Sequence, residues 1–321
     1  MPLLLYPGYH KTGSTVVETL VLPALDARYL GRHYGKDSDF DPAVGDELEA
    51  RLVELTRGDA CEAELGGLIE RLAASPERTV LATEALLCPA GFERVVEAIG
   101  LAARRLADPG ALQVLLTLRR QSELIVSRYL HDLNTKVPAL AGASLRGRLR
   151  RWLWPRTQPP YSLDEAIDAA NPPCAWPMCL PRGGACACRA HGGRVSIHLP
   201  LYDFARLRTG LEAVLPAGCL AVADLVDPVL RTAGAERVAA LLARFGESLA
   251  AADIEAAFAE PLNTQDDRNR FATSRRPFTR ADLGEATLAA LRARLDAHYR
   301  ESNASLARAL PEFGAYLEPP T

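Results

Sequence analysis

Short apolar runs bounded by turn residues alternate along this chain with longer segments of helical period, and no other feature constrains the fold as strongly. The runs at 3–6, 79–83, 113–118, 195–199 and 219–223 read as buried strands. Helices are expected near 14–25, 46–55, 62–73, 91–104, 122–133, 202–214 and 236–245. Strands that alternate with helices need crossover connections, so the pattern predicts an α/β fold: a central parallel sheet with helices on both faces. After Thr279 the segment ADLGEATLAALRARLDAHYRESNASLARAL keeps a strong helical period and is expected to close the domain as a helical C-terminus. A chain of 321 residues that is 48% hydrophobic can bury a full core, and one domain over 1–321 is expected.

One stretch breaks the rhythm. From 137 to 193 Pro, Gly, Arg, Trp and Cys crowd together and the apolar period fades, so this reads as an irregular insert, either an acceptor-side lid or a mobile surface segment. Within it Cys174, Cys179, Cys186 and Cys188 are followed by His191, in the spacing C-x4-C-x6-C-x-C-x2-H. Four thiolates this close can hold zinc tetrahedrally, although the spacing is not the usual pair of C-x2-C knuckles; free or redox-active thiols are the other reading. Upstream, RGRLRRWLWPR mixes arginines with Trp152 and Trp154 and suits an anionic or sugar acceptor, a membrane surface, or simply a solvated helix face.

The formal net charge of -3 gives no global attraction for nucleic acid or membrane, so any anion site must be a local concentration of positive groups. The start of the chain lacks a secretory pattern and no run of about 18 apolar residues follows, which predicts a cytoplasmic protein with no transmembrane segment. Of the 37 basic residues only Lys11, Lys36 and Lys136 are lysines. Where arginine is the default base, a lysine in a glycine-containing loop draws attention, because a compact ammonium does what a guanidinium does not.

That loop is LLLYPGYHKTGSTVVETL, a strand, a turn and a helix start in sequence. The order aims backbone N–H groups and a helix N-terminus at one point, which favours a phosphate ligand. Gly8 and Gly13 let the loop turn and approach the anion, Lys11 reaches its oxygens, and Ser14 and Thr15 offer hydroxyls. A nucleoside-triphosphate loop has its lysine directly after the second glycine; here Ser14 stands there and Lys11 precedes Gly13 by two places. This departs from the Walker pattern and resembles the 5′-phosphosulfate loop of sulfotransferases that use 3′-phosphoadenosine 5′-phosphosulfate (PAPS), with His10 replacing the usual Pro and Val16 an aromatic. The strand QVLLTL then runs into RRQSELIVSRYL, with Ser127 eight residues after Arg119. That pair resembles the arginine and serine with which the family binds the 3′-phosphate; Arg120 is the alternative to Arg119.

The resemblance implies a P-loop-type sheet and an enzyme that moves a sulfuryl group from PAPS to a hydroxyl on a carbohydrate or other small molecule, releasing 3′-phosphoadenosine 5′-phosphate (PAP). It implies that Lys11, Thr12, Gly13, Ser14 and Thr15 contact the 5′-phosphosulfate, with Lys11 neutralising charge on the leaving group. For the base, a carboxylate at the C-terminal edge of a parallel strand points to the crevice where such sheets bind ligands, which singles out Glu84; His10 and His33 are reserves. Family members often complete the 3′-phosphate pocket with a late basic segment, for which Arg275 and Arg276 are candidates. The segments IHLPLYDFARL and HYRESNASLARAL also look like bacterial members acting on carbohydrates or other small hydroxyl compounds. A nucleotide-dependent small-molecule kinase and a zinc-bearing binding module are the alternatives, and nothing in the sequence bears on oligomeric state.

Overall fold

The strands are short and almost free of charge, and a strand of that kind is stable only when both of its faces are covered. In this computed structural model, which describes residues 2–9, 11–31, 44, 47–48, 50–51, 62–83, 86–87, 92–141, 162, 166–167, 197, 199–259 and 278–318, five strands make one sheet. They are β1 (Leu3–Tyr6), β2 (Arg28–Gly31), β3 (Thr79–Ala82), β4 (Leu112–Thr117) and β5 (Leu220–Ala223). Their order is β2-β3-β1-β4-β5 and every pairing is parallel, with Leu4 opposite Val80 and Gln113.

Alternate strand residues Leu4, Tyr6, Val80, Ala82, Leu115, Ala221 and Ala223 share one core with the helices on their side. Those helices are α1, which starts at Ser14–Val16, widens to a π-helical Val17–Val21 and then tightens to a 3-10 turn at Leu22–Ala24, α6 (Arg231–Phe245) and α7 (Ala251–Ala259). By the pleat, Leu3, Leu5, Leu81, Val114, Leu116 and Val222 face the other way, and they too are buried. Helices α2 (Glu62–Ala73), α3 (Phe92–Arg105) and α5 (Phe204–Val214) pack on one another on that side, so the sheet is covered on both faces. Each fully buried leucine here contributes about 1.5–3 kcal/mol of apolar burial.

By its contacts the chain divides into two compact units. The first, Met1–Arg119, Asp203–Pro261 and Ser302–Thr321, carries the whole sheet. The second, Arg120–Tyr202 and Leu262–Glu301, contains α4 (Gln121–Ala141), the short α8 (Arg280–Leu283) and most of α9 (Glu285–Ala309). Charge holds this second unit: Glu123 accepts from Arg280 at 2.6 Å and pairs with Arg292 at 2.7 Å, and Arg120 grips Asp296 through two nitrogens. Asn134 brackets Phe278, donating to its carbonyl and accepting from its amide. Among the described residues no helix is long and apolar enough to cross a membrane.

The α/β expectation holds, with local corrections. The expected strand at 195–199 is absent from the described residues: Ile197 lies outside any strand and Leu199–Tyr202 is a 3-10 turn, which the fixed φ of Pro200 suits. Strand β2 and helix α7 were not expected from the pattern, β2 being a four-residue edge strand whose Arg28 and Gly31 carry no strand signal. Helix α4 runs on to Ala141, past the start assigned to the insert, and α6 begins at Arg231 rather than 236.

Candidate functional site

The strand order alone points to one place on the sheet. From β1 the chain leaves toward β2 and from its neighbour β4 it leaves the opposite way toward β5, so the connections diverge above the carboxyl ends of β1 and β4. Ligands of open α/β sheets bind in that crevice. The loop of residues 8–15 leaves β1 there, and Arg119 leaves β4 there.

The loop is held in a costly conformation. Gly13 has φ 84 and caps α1, and its carbonyl accepts from the amides of Val16 and Val17. A Cβ at Gly13 would stand 2.7 Å from the Phe258 ring and 3.0 Å from Val226, so the position is closed to a side chain on steric as well as backbone grounds. Lys11, at φ 72, is the one non-glycine residue with a positive φ among those described. A left-handed lysine costs on the order of 1–2 kcal/mol and persists only where its surroundings fix it. They do so here: Arg119 donates to the Lys11 carbonyl at 3.3 Å, and Thr12 donates to the Tyr9 carbonyl at 2.8 Å.

Behind the loop lies a one-way chain of buried hydroxyls. The Thr12 hydroxyl spends its proton on Tyr9 O, so Thr117, 3.0 Å away, must donate to it, and Tyr6, 2.7 Å from Thr117, must donate in turn. Tyr6, Thr12 and Thr117 are all fully buried. The Thr12 side chain therefore faces inward and fixes the loop, and what Thr12 offers a ligand is its amide. Tyr6 and Thr117 escaped the sequence analysis because a polar residue inside an apolar strand gives no hint of a partner more than a hundred positions away.

The two arginines after β4 do different work. Arg120 is buried and its guanidinium forks onto Asp296 in the second unit, whereas Arg119 is partly exposed and lies in the first unit beside Lys11. Of the sequence candidates, Lys11, Thr12, Gly13, Ser14, Thr15 and Arg119 thus come together at one edge of the first unit, with Ser14 buried and Thr15 partly so. Ser127 is buried on α4, in the second unit. His10, His33, Glu84, Arg275, Arg276, Cys174, Cys179, Cys186, Cys188 and His191 lie outside the described residues. Thr83, just before Glu84, extends the strand ladder by donating to Tyr6 O. Among the described residues no three His, Cys, Asp or Glu side chains form a group that could hold a metal ion.

A carboxylate the sequence did not single out follows β5 directly. Asp224 is 1% exposed, accepts from the amides of Val226 and Asp227 at 2.8 and 3.0 Å, and receives the Tyr316 hydroxyl at 2.6 Å. Burial pushes its carboxyl above the ordinary aspartate range against the pull of those hydrogen bonds, and burial together with Asp224 pushes the Tyr316 phenol well above its own. The reasoning that singles out Glu84 at the end of β3 applies equally to Asp224 at the end of β5; its partner Tyr316, 92 positions on, has no sequence signal. With both oxygens engaged and almost no exposed surface, Asp224 cannot take a proton from an acceptor. Compared with models of protein families, with curated proteins and with solved structures, the chain matches none.

Proposed function

We propose that this chain is a PAPS-dependent sulfotransferase, transferring a sulfuryl group to a hydroxyl on a carbohydrate or other small molecule. The observation that carries the reading is the hydrogen bond from Arg119 to the Lys11 carbonyl, because it puts one residue of each motif side by side near the divergence of β1 and β4. Residues 8–15 act as a P-loop-type cradle for the 5′-phosphosulfate, through the amides of Thr12, Gly13, Ser14 and Thr15 and the Lys11 ammonium. Arg119 reads the 3′-phosphate that distinguishes PAPS from ATP, with Ser127 its partner by resemblance. The ion pair of Arg120 with Asp296 favours Arg119 over Arg120 for that role.

In the transfer, the acceptor oxygen attacks sulfur while the bond from sulfur to the bridging phosphate oxygen breaks in line. The bridge electrons leave with PAP, where Lys11 offsets the new charge, and the acceptor proton passes to a base, for which Glu84 is the first candidate and His10 the second. No residue in this scheme needs a metal ion. Arg275 and Arg276 complete the 3′-phosphate pocket in the same reading, and the Arg, Trp and Cys-rich segment shapes acceptor choice, with zinc bound by Cys174, Cys179, Cys186 and Cys188 as a separable proposal.

Thermal unfolding in the presence of PAP, AMP, or ATP with magnesium tests the assignment. PAP without metal should raise the melting temperature and AMP should do so far less. Stabilisation by ATP with magnesium and none by PAP would make the chain a nucleotide-dependent kinase instead.

A further inference from the structure

The Asp224–Tyr316 contact has no part in the transfer scheme, yet it sits against the loop that does. Four bonds fix the turn after β5: Asp224 accepts from the Val226 and Asp227 amides, and Arg231 donates to the carbonyls of Leu225 and Val226 at 3.1 and 3.2 Å. The turn so held presents the Val226 side chain to Gly13, 3.0 Å from where a Cβ would be, and Phe258 forms the other wall. Gly13 is therefore seated on a surface whose position depends on the Asp224 carboxylate.

That carboxylate depends in turn on the end of the chain. Tyr316 lies on the 3-10 turn Pro311–Leu317, is 2% exposed, and stacks edge-on against Phe313 at 5.2 Å. An ion pair between Glu312 and Arg237 fastens the same turn separately. Without the Tyr316 hydroxyl the second Asp224 oxygen would be buried with no donor among the described residues, an arrangement that is relieved by protonation or by movement of the turn. The charge of Arg119 also reaches the Tyr316 phenol.

We propose that Asp224 and Tyr316 are positioning residues of the loop: the terminal turn holds Asp224, Asp224 holds Val226, and Val226 seats Gly13 in the left-handed conformation that shapes the anion cradle. The consequence for ligand affinity rests on the sulfotransferase reading, whereas the consequence for loop order does not. The full-length chain and its Tyr316→Phe, Asp224→Asn and Glu312→Gln variants are compared by amide hydrogen exchange and by PAP titration calorimetry. In Tyr316→Phe, exchange in residues 8–17 should quicken about tenfold and PAP should bind about tenfold more weakly, the equivalent of about 1.4 kcal/mol. Residues 62–73 should exchange as in the parent, which separates loop loosening from general destabilisation, and Glu312→Gln should leave the loop unchanged. Asp224→Asn serves the same purpose should Tyr316→Phe not fold. Loop exchange and PAP affinity within twofold of the parent in the folded variants would overturn the proposal, as would an equal effect of Glu312→Gln. A loop that responds to Tyr316→Phe in a parent chain that does not bind PAP upholds the positioning role and refutes the cosubstrate.

Discussion

At the carboxyl ends of β1 and β4 a buried chain of neutral hydroxyls, Tyr6–Thr117–Thr12, braces the loop; around α4 and α9 ion pairs do the bracing, Arg120 on Asp296 and two arginines on Glu123. The difference has a chemical sense. Buried hydroxyls order Thr12 through bonds that salt does not weaken, a scaffold suited to the anion-binding role proposed for the loop. The second unit uses ion pairs, whose strength depends on exposure and ionic strength.

Three substitutions probe this contrast. Arg120→Met leaves Asp296 without its fork in a site where the two side chains are 10% and 19% exposed. It should cost about 3 kcal/mol in denaturant unfolding and leave PAP affinity intact. A loss of affinity without a loss of stability would return Arg120 to the phosphate site. Thr117→Val breaks the hydroxyl chain at its middle and should cost about 2 kcal/mol, equally in low and high salt, because no charge is involved. Glu123→Gln should cost about 1 kcal/mol at low ionic strength and clearly less in 1 M salt, since its partners Arg280 and Arg292 are 38% and 28% exposed. An opposite salt response of these two variants would erase the distinction between the regions.

The smallest effect concerns pH. The hydrogen bond from Arg94 holds the Glu62 carboxyl below its ordinary value. A depressed folded-state pKa gives stability that is present above the unfolded value, near 4.5, and is lost as pH falls through the folded one. Glu62→Gln should therefore unfold about 0.5 kcal/mol more easily at neutral pH and match the parent in acid. A constant difference across the range would assign the effect to packing.

Much of the sheet could be read from the chain because strands buried on both faces are continuous apolar runs, as 3–6 and 113–118 are. The edge strand β2 could not, since RYLG carries neither run nor alternation, and 195–199 reads as a strand only if the proline at 200, which suits a 3-10 turn, is left out of account. The turn of the loop was legible in Gly13, whose left-handed backbone a glycine adopts without strain. What holds the loop was not: Thr117, Val226 and Phe258 reach it across 100 positions or more, and long-range packing leaves no period in a sequence.

The account stands most directly on Arg119 reading a 3′-phosphate beside the Lys11 loop. Calorimetric titration of PAP and of AMP into the parent, Arg119→Ala and Arg120→Met proteins isolates that contact. The parent should prefer PAP by about 100-fold, the size of one or two charge-assisted hydrogen bonds, and so should Arg120→Met, whereas Arg119→Ala should lose most of the preference. A preference for PAP that survives Arg119→Ala, or one absent from the parent, would contradict it.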